Sequence, residues 1–249
     1  ANKDLRHVPA PYGGGDILGK GLIKFIHFGN GSPIREDVIL GSGNTIINGI
    51  ESTKDGGFIV YGAAKESVHG AQFGGATDGF ILKYDQKGEF EWIQTFNTPL
   101  HENRSGASED EEGNLDIAGR ASNDLSEPRV FGNQERSGQE LGGRYYAAFT
   151  ASLHKDGRIN WVDVDGSNNS GGLFALAAHG GVLSGRYESG SGVVYSYLNQ
   201  KKELDWEVNL EIGDYLLAAE SLDNKLLALV TRSNEITLVN LEGAVESSI

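Results

Sequence analysis

The chain has 249 residues, is 38% hydrophobic, lacks cysteine and carries a formal net charge of −14. That apolar content suffices for a proper core, while the acidity argues against nucleic acid, whose phosphates need a basic surface, and against anionic lipid. No apolar run approaches the length of a membrane span.

Thirty-six glycines against five prolines point to many tight turns, as in all-β chains with short strands. Residues 1–16, with Pro9, Pro11 and Gly13-Gly14-Gly15, read as an arm. Strands over 22–28 and 34–40 follow, joined by Gly29-Asn30-Gly31-Ser32. The next pair, 46–52 and 58–61, turns at Lys54-Asp55-Gly56-Gly57 and leads into a polar, Gly-rich loop at 63–77. The clearest hairpin runs from Asp78 to Trp92. Phe80, Leu82 and Tyr84 alternate with Ile81 and Lys83, Asp85-Gln86-Lys87-Gly88 turns the chain, and Phe90 and Trp92 alternate with Glu89 and Glu91.

The same order then returns. Strands over 103–110 and 115–120 precede a loop at 121–143, and 145–153 pairs with 159–161 across His154-Lys155-Asp156-Gly157. A third copy has strands at 173–178, 182–186, 193–198 and 204–206, and a fourth at 215–219, 226–232, 236–241 and 244–248. Four strands per unit, repeated every ~40–65 residues, is the pattern of propeller blades, whose sheets bury their faces by stacking on neighbours. The fold expected is therefore one all-β β-propeller domain over 1–249. It has a partial blade at 17–43 and blades of four strands at 44–97, 98–165, 166–211 and 212–249, about five in all. Trp92, Trp161 and Trp206 recur at one place in the unit and read as packing anchors between blades.

Lys54-Asp-Gly-Gly-Phe-Ile-Val-Tyr-Gly62, followed by Thr77-Asp-Gly-Phe-Ile-Leu-Lys-Tyr-Asp-Gln-Lys-Gly-Glu-Phe-Glu-Trp92, resembles the β-propeller repeats of bacterial secreted and surface proteins. In those repeats a DGG-aromatic strand ending in Gly precedes a D-x-(F/Y)-(I/L/V)-x-K-x-D-x-x-G-x-x-x-W segment. The likeness is good over 44–97, fair over 98–165 and thin over 166–249, where the turn 199–202 lacks Gly and the last copy lacks Trp. It implies a propeller with a surface or adhesive role and no defined chemistry. Two enzymatic patterns fit less well. A sialidase-type Asp box, S-x-D-x-G-x-T-W, would place Gly and Trp closer to Asp85 than Gly88 and Trp92 stand. Quinoprotein-type repeats share the G-x-x-x-W of Gly88–Trp92 but set the preceding Asp one residue further away.

The six histidines, His7, His27, His69, His101, His154 and His179, show no H-x-x-x-H spacing, and no G-x-S-x-G or H-E-x-x-H motif occurs. The run from Asp163 through Asp165 to Ser170 gathers oxygen ligands around a glycine, which suits calcium. It lacks the closing bidentate Glu, so a solvated connection between blades is the competing reading, and no other cofactor is implied.

Arg120, Arg186 and Arg232 each end the second strand of their unit, where residues of successive blades would form a ring. Their planar forks suit carboxylates, phosphates or sugar hydroxyls, and pairing with acidic neighbours is the alternative. The long insertions at 63–77 and 121–143 both join second to third strands and should emerge on one face. They carry His69, Gln72 and Phe73, and Arg129, Phe131, Asn133, Gln134 and Arg136: aromatic rings for stacking, with amides and guanidiniums for polar groups.

The expected function is non-enzymatic binding or adhesion, with a glycan or protein on a cell surface as partner. A scaffold propeller in a larger assembly and a quinoprotein-like or sugar-acting enzyme are the alternatives. The absence of cysteine fits a secreted, periplasmic or surface location. A first residue other than Met fits either a removed leader or an excised fragment, and self-association or membership of a longer chain stays open.

Overall fold

A tight turn with a glycine at a fixed place sets the strand boundaries. The computed structural model describes residues 22–26, 29–38, 45–64, 67–71, 78–99, 106–110, 112–122, 129–131, 134–136, 146–165, 174–178, 181–188, 192–198, 203–210, 216–222, 226–231, 236–240 and 242–248. All are strand or turn, with no helix. Five turns share one hydrogen-bond scheme, running from Thr53, Asp85, Asp110, His154 and Asn240. The first residue accepts the N–H of the glycine three places on and donates its own N–H to the carbonyl four places on. Gly56, Gly88, Gly113, Gly157 and Gly243 hold the third place with φ between +77° and +86°, a left-handed backbone that other residues adopt at a cost. This is a type I turn closed by a glycine bulge. The side-chain oxygens of Asp85, Asp110 and Asn240 reinforce it by accepting the N–H groups two and four residues on.

Strands β1 (Leu22–Ile26) and β2 (Pro33–Val38) form a two-stranded sheet. Strands β3 (Thr45–Ser52), β4 (Phe58–Ala64), β5 (Asp78–Tyr84) and β6 (Phe90–Pro99) pair antiparallel in order. In the next sheet β7 (Gly106–Glu109), β8 (Leu115–Ser122), β11 (Tyr146–Leu153) and β12 (Ile159–Asp165) do the same. The insertion between β8 and β11 is more than a loop: β9 (Arg129–Phe131) and β10 (Gln134–Arg136) form a hairpin. This hairpin joins the outer edge of the preceding sheet, where β9 pairs with β6 through Phe96↔Phe131 and Asn97↔Val130, making that sheet six-stranded. Two further four-stranded sheets follow. One is β13 (Phe174–Ala178), β14 (Gly181–Glu188), β15 (Gly192–Leu198) and β16 (Leu204–Leu210). The other is β17 (Leu216–Leu222), β18 (Leu226–Thr231), β19 (Ile236–Asn240) and β20 (Val245–Ser248).

The first strands of the four-stranded repeats lie in succession, β3 against β7, β7 against β13 and β13 against β17. Among the described residues the sheets do not close into a ring. Alternation on each strand supplies two packed faces. On the sheet of β3–β6, Phe58, Val60, Phe80, Leu82 and Tyr84 pack back on the β1–β2 hairpin, which contributes Ile23 and Phe25. Ile59, Tyr61 and Ile81 pack forward on Leu115, Ile117, Ala151, Leu153 and Val162 of the next sheet.

A lock at the outer edge repeats from sheet to sheet. Near the start of its last strand, a sheet projects a side chain over the turn glycine of the sheet that follows. A Cβ on Gly157 would stand 2.7 Å from the Trp92 ring, and one on Gly243 would stand 3.1 Å from Trp206. Trp92 also donates its indole N–H to the Lys155 carbonyl at 3.1 Å, and Trp206 stacks on Tyr197 at 5.4 Å. In the first hairpin Arg35 holds the tryptophan position. Its guanidinium donates to the Gly88 carbonyl and lies 4.4 Å from the Phe25 ring centroid, while Phe25 covers Gly88. Trp161 stands at the same step, but the turn it would meet, 199–202, lies outside the described residues.

Candidate functional site

The β9–β10 ribbon gathers most of the polar and aromatic residues that the sequence marked in the second long insertion. Gln134 is paired with Phe131 and Arg136 with Arg129. Directly opposed residues in an antiparallel pair, and residues two apart on one strand, share a face. Arg129, Phe131, Gln134 and Arg136 therefore occupy one face of the ribbon, and Val130 and Glu135 the other. The two-residue connection, Gly132-Asn133, is itself a hairpin signal that the loop reading of 121–143 passed over. Asn133 lies outside the described residues.

His69 is elsewhere. The segment 67–71 turns back on itself through a Val68↔Ala71 bridge, and Val68 is fully buried in the core between the sheet of β3–β6 and the first hairpin. That apolar anchor carries His69 to the start of β6, where its ring stacks on Phe90 at 4.3 Å and meets the Tyr84 hydroxyl at 3.2 Å. The ribbon joins β6 at Phe96 and Asn97, near its far end, some ~20 Å away at ~3.3 Å per residue. The structure thus does not bring His69 together with Phe131. Gln72 and Phe73 lie outside the described residues.

Arg120 and Arg186 sit inside strands rather than at their ends, since β8 continues to Ser122 and β14 to Glu188. Their side chains, and Arg232 altogether, lie outside what is described. Asp163 and Asp165 belong to the regular ladder of β12, opposite Thr150 and Ala148, so neither sits in a turn. Residues 166–170 lie outside the described set. Among the described residues no group of three metal-binding side chains occurs.

A second feature escaped the sequence reading. Between the sheets of β3–β6 and β7–β12, at the end bearing their tight turns, lies a cleft of about 350 Å³ lined by Lys83, Trp92, Asp55, Glu109 and Lys155, among others. Lys83 is buried there with a side chain 6% exposed, and it bonds Asp55 at 2.7 Å, Glu91 at 3.3 Å and the Tyr84 carbonyl at 3.1 Å. Burial by itself would raise the pKa of Asp55. The bonds from Lys83, the Thr53 hydroxyl and the Gly57 N–H outweigh it and bring the carboxyl down to about 2. Glu109 accepts the backbone N–H of Lys54, tying the first turn of one sheet to the next sheet. Lys83, Asp55 and Glu91 satisfy one another and make the cleft a polar seam. The available signal was Lys83 itself, a lysine amid the apolar alternation of a strand with both faces covered.

No protein-family model matches the chain, and no curated protein does either. Similar solved structures exist. One is a protein of unknown function from Bacteroides caccae, at 11% identity and a TM-score of 0.51, covering 95% of this chain and 70% of that one. Another is BBS1N in complex with ARL6DN, at 10% identity and a TM-score of 0.56, covering 94% of this chain and 62% of that one. A third is the dihydro-heme d1 dehydrogenase NirN in complex with DHE, at 9% identity and a TM-score of 0.51, covering 91% and 41% respectively. NirN has a propeller-type fold. The likeness is one of fold: this chain is all-β and propeller-like. It spans less than two thirds of the BBS1N and NirN chains.

Proposed function

We propose that this chain is a non-enzymatic binding propeller. Its blades are the sheets begun by β3, β7, β13 and β17, and β1–β2 is the outer half of a fifth. Its ligand is a glycan on a cell surface, met by the β9–β10 ribbon of a secreted, periplasmic or surface protein. The observation that carries this reading is the shared ribbon face of Arg129, Phe131, Gln134 and Arg136. An aromatic ring stacks on a sugar face, and guanidinium and amide groups suit carboxylate and hydroxyl oxygens. Anchoring to β6 gives the ribbon a rigid base, which lowers the entropy lost on binding. A protein ligand is the second reading, favoured because the edge of β6 already accepts a strand from elsewhere in the chain, a mode by which sheets recognise peptides.

The test is a glycan array probed with the whole chain and with an Arg129→Ala/Phe131→Ala variant. Glycan binding that the variant loses, with an unchanged melting temperature, is the expected result. No glycan binding, or binding that survives the variant, overturns it.

A further inference from the structure

Among the described residues, the tight turns set an exposed residue immediately before a left-handed glycine: Asn30, Asp55, Lys87, Glu112, Asp156 and Glu242. The place stays exposed even where a neighbouring sheet covers the glycine itself, as at Lys87 beside Gly88 and Asp156 beside Gly157. Its exposure therefore belongs to the turn and not to the ends of the stack. Asn30 alone in this set carries an amide. An amide before glycine is open to attack by the next peptide nitrogen, because glycine has no side chain to crowd the approach. Asn30 is also held for that attack. Its Oδ1 accepts the Ser32 N–H at 3.0 Å and the Ser32 hydroxyl at 2.8 Å. A backbone N–H only donates, so the atom facing it is the carbonyl oxygen. An oxygen bonded two residues ahead folds the side chain over the peptide between, carrying Cγ toward the Gly31 nitrogen. The same two donors face the charge that this oxygen gains in a tetrahedral intermediate.

The fold treats the related pairs differently. Asn48-Gly49, the other Asn-Gly of the chain, lies inside β3 at a bulge between Ile47↔Gly62 and Gly49↔Tyr61. The Tyr61 ring lies against Gly49. Pairing with β4 on both sides of the bulge holds this backbone away from the rotation that would bring the nitrogen to Cγ. Asp55 and Asp156 precede Gly56 and Gly157 in turns. They are carboxylates paired with Lys83 at 2.7 Å and Arg158 at 2.8 Å, and their negative charge repels a nucleophile.

We infer that Asn30 is a self-modification site, converting to aspartate and isoaspartate in the folded chain without an enzyme. The Gly31 nitrogen gives its proton to solvent and forms a bond to Asn30 Cγ. The bond from Cγ to Nδ2 breaks, and the amide nitrogen takes up a proton and leaves as ammonia. Water then opens the cyclic imide. Addition at Cγ breaks its bond to the Gly31 nitrogen and gives aspartate. Addition at the main-chain carbonyl carbon gives isoaspartate, with the chain running through the side chain. No electrons are transferred, and water is the only co-reactant. Either product puts a negative charge on the turn, and the isoaspartyl form lengthens it by one carbon. The site does not depend on the ligand reading above.

The test is peptide mapping by mass spectrometry after the whole chain has aged in mildly alkaline buffer, folded or unfolded in urea. Trypsin releases Asn30 in the segment Phe25–Arg35 and Asn48 in Glu36–Lys54, so the two are read separately. In the folded chain Asn30 converts at least as fast as in urea. Asn48 converts at least about tenfold slower than in urea, because its strand must open first. Ser32→Ala slows the folded rate at Asn30 about two- to tenfold, the share of one hydrogen bond, and leaves the rate in urea unchanged. Protection of Asn30 by folding overturns the inference, as do equal folded rates at Asn30 and Asn48. A folded Ser32→Ala variant that converts at the wild-type rate overturns it as well.

Discussion

The junction at Gly157 and the junction at Gly88 do the same work with different chemistry. At the first, the flat indole of Trp92 lies on the glycine of the next turn and donates one N–H to that turn's backbone. At the second, the task is split, with Phe25 supplying the ring and Arg35 the donor, the two held together by a cation–π contact. Arg35 also forms a 2.7 Å ion pair with Glu89. The comparison shows what the position demands: a flat apolar surface against a bare Cα, and an N–H aimed at a turn carbonyl. Trp92 meets both demands with one half-buried side chain. Arginine meets them only with a partner, and with its side chain 31% exposed.

That difference can be broken at several points. The largest effect is expected at the most buried lock. Trp206→Ala should cost about 3–5 kcal/mol, as for other large aromatic truncations, read as a loss of denaturation midpoint at unchanged slope. Gly157→Ala comes next, at about 2–4 kcal/mol, because it adds a left-handed backbone penalty of about 1–2 kcal/mol to a clash with the Trp92 ring. Gly31→Ala sharpens the point: with the same handedness but open space around it, it should cost only the backbone share, about 1–2 kcal/mol. Equal losses at the two glycines would remove the lock as the explanation.

Arg35→Ala should cost about 1–2 kcal/mol, less than Trp206→Ala, since a charged hydrogen bond is lost from a site that water reaches. Arg35→Trp should recover that loss, because the position is built for an indole. Arg35→Lys should not, since a lysine has no planar fork to lie on Phe25.

The smallest effect concerns acid. The Asp55 carboxyl is held down to about 2 in the fold and titrates in the ordinary carboxylate range when unfolded. Its contribution is therefore complete above that ordinary range and lost as pH falls toward 2. Because its side chain is 54% exposed, the contribution should be modest. Asp156 is also lowered to about 2, its bonds to Arg158 and His154 outweighing desolvation, so the wild-type slope mixes the two. Asp55→Asn should flatten the fall in stability over this window in urea titrations. An unchanged slope would assign the acid sensitivity elsewhere.

Much of the architecture was legible because it is local. Period-two alternation in Phe80–Tyr84 and the Asp-x-x-Gly turn at Asp85–Gly88 fix a hairpin without reference to the rest of the chain. Similar turn cues at Asp110–Gly113 and Asn240–Gly243 mark further strand pairs, and the turn at His154–Gly157 is followed by Trp161 as Asp85–Gly88 is by Trp92. The sequence also marked the residues of the ribbon, and its Gly132-Asn133 turn was there to be read. What local pattern does not contain is which edge a hairpin will join. The ribbon's place on β6 depends on an open outer edge in the preceding sheet, a property of neighbours rather than of residues 129–136. In the same way the position of His69 follows from Val68 sinking between two sheets, and the burial of Lys83 from a second sheet closing over it. Local hydrogen bonding and alternation determined the strands and turns; burial and edge pairing between distant segments, which exist only once the sheets have stacked, decided where the functional candidates lie.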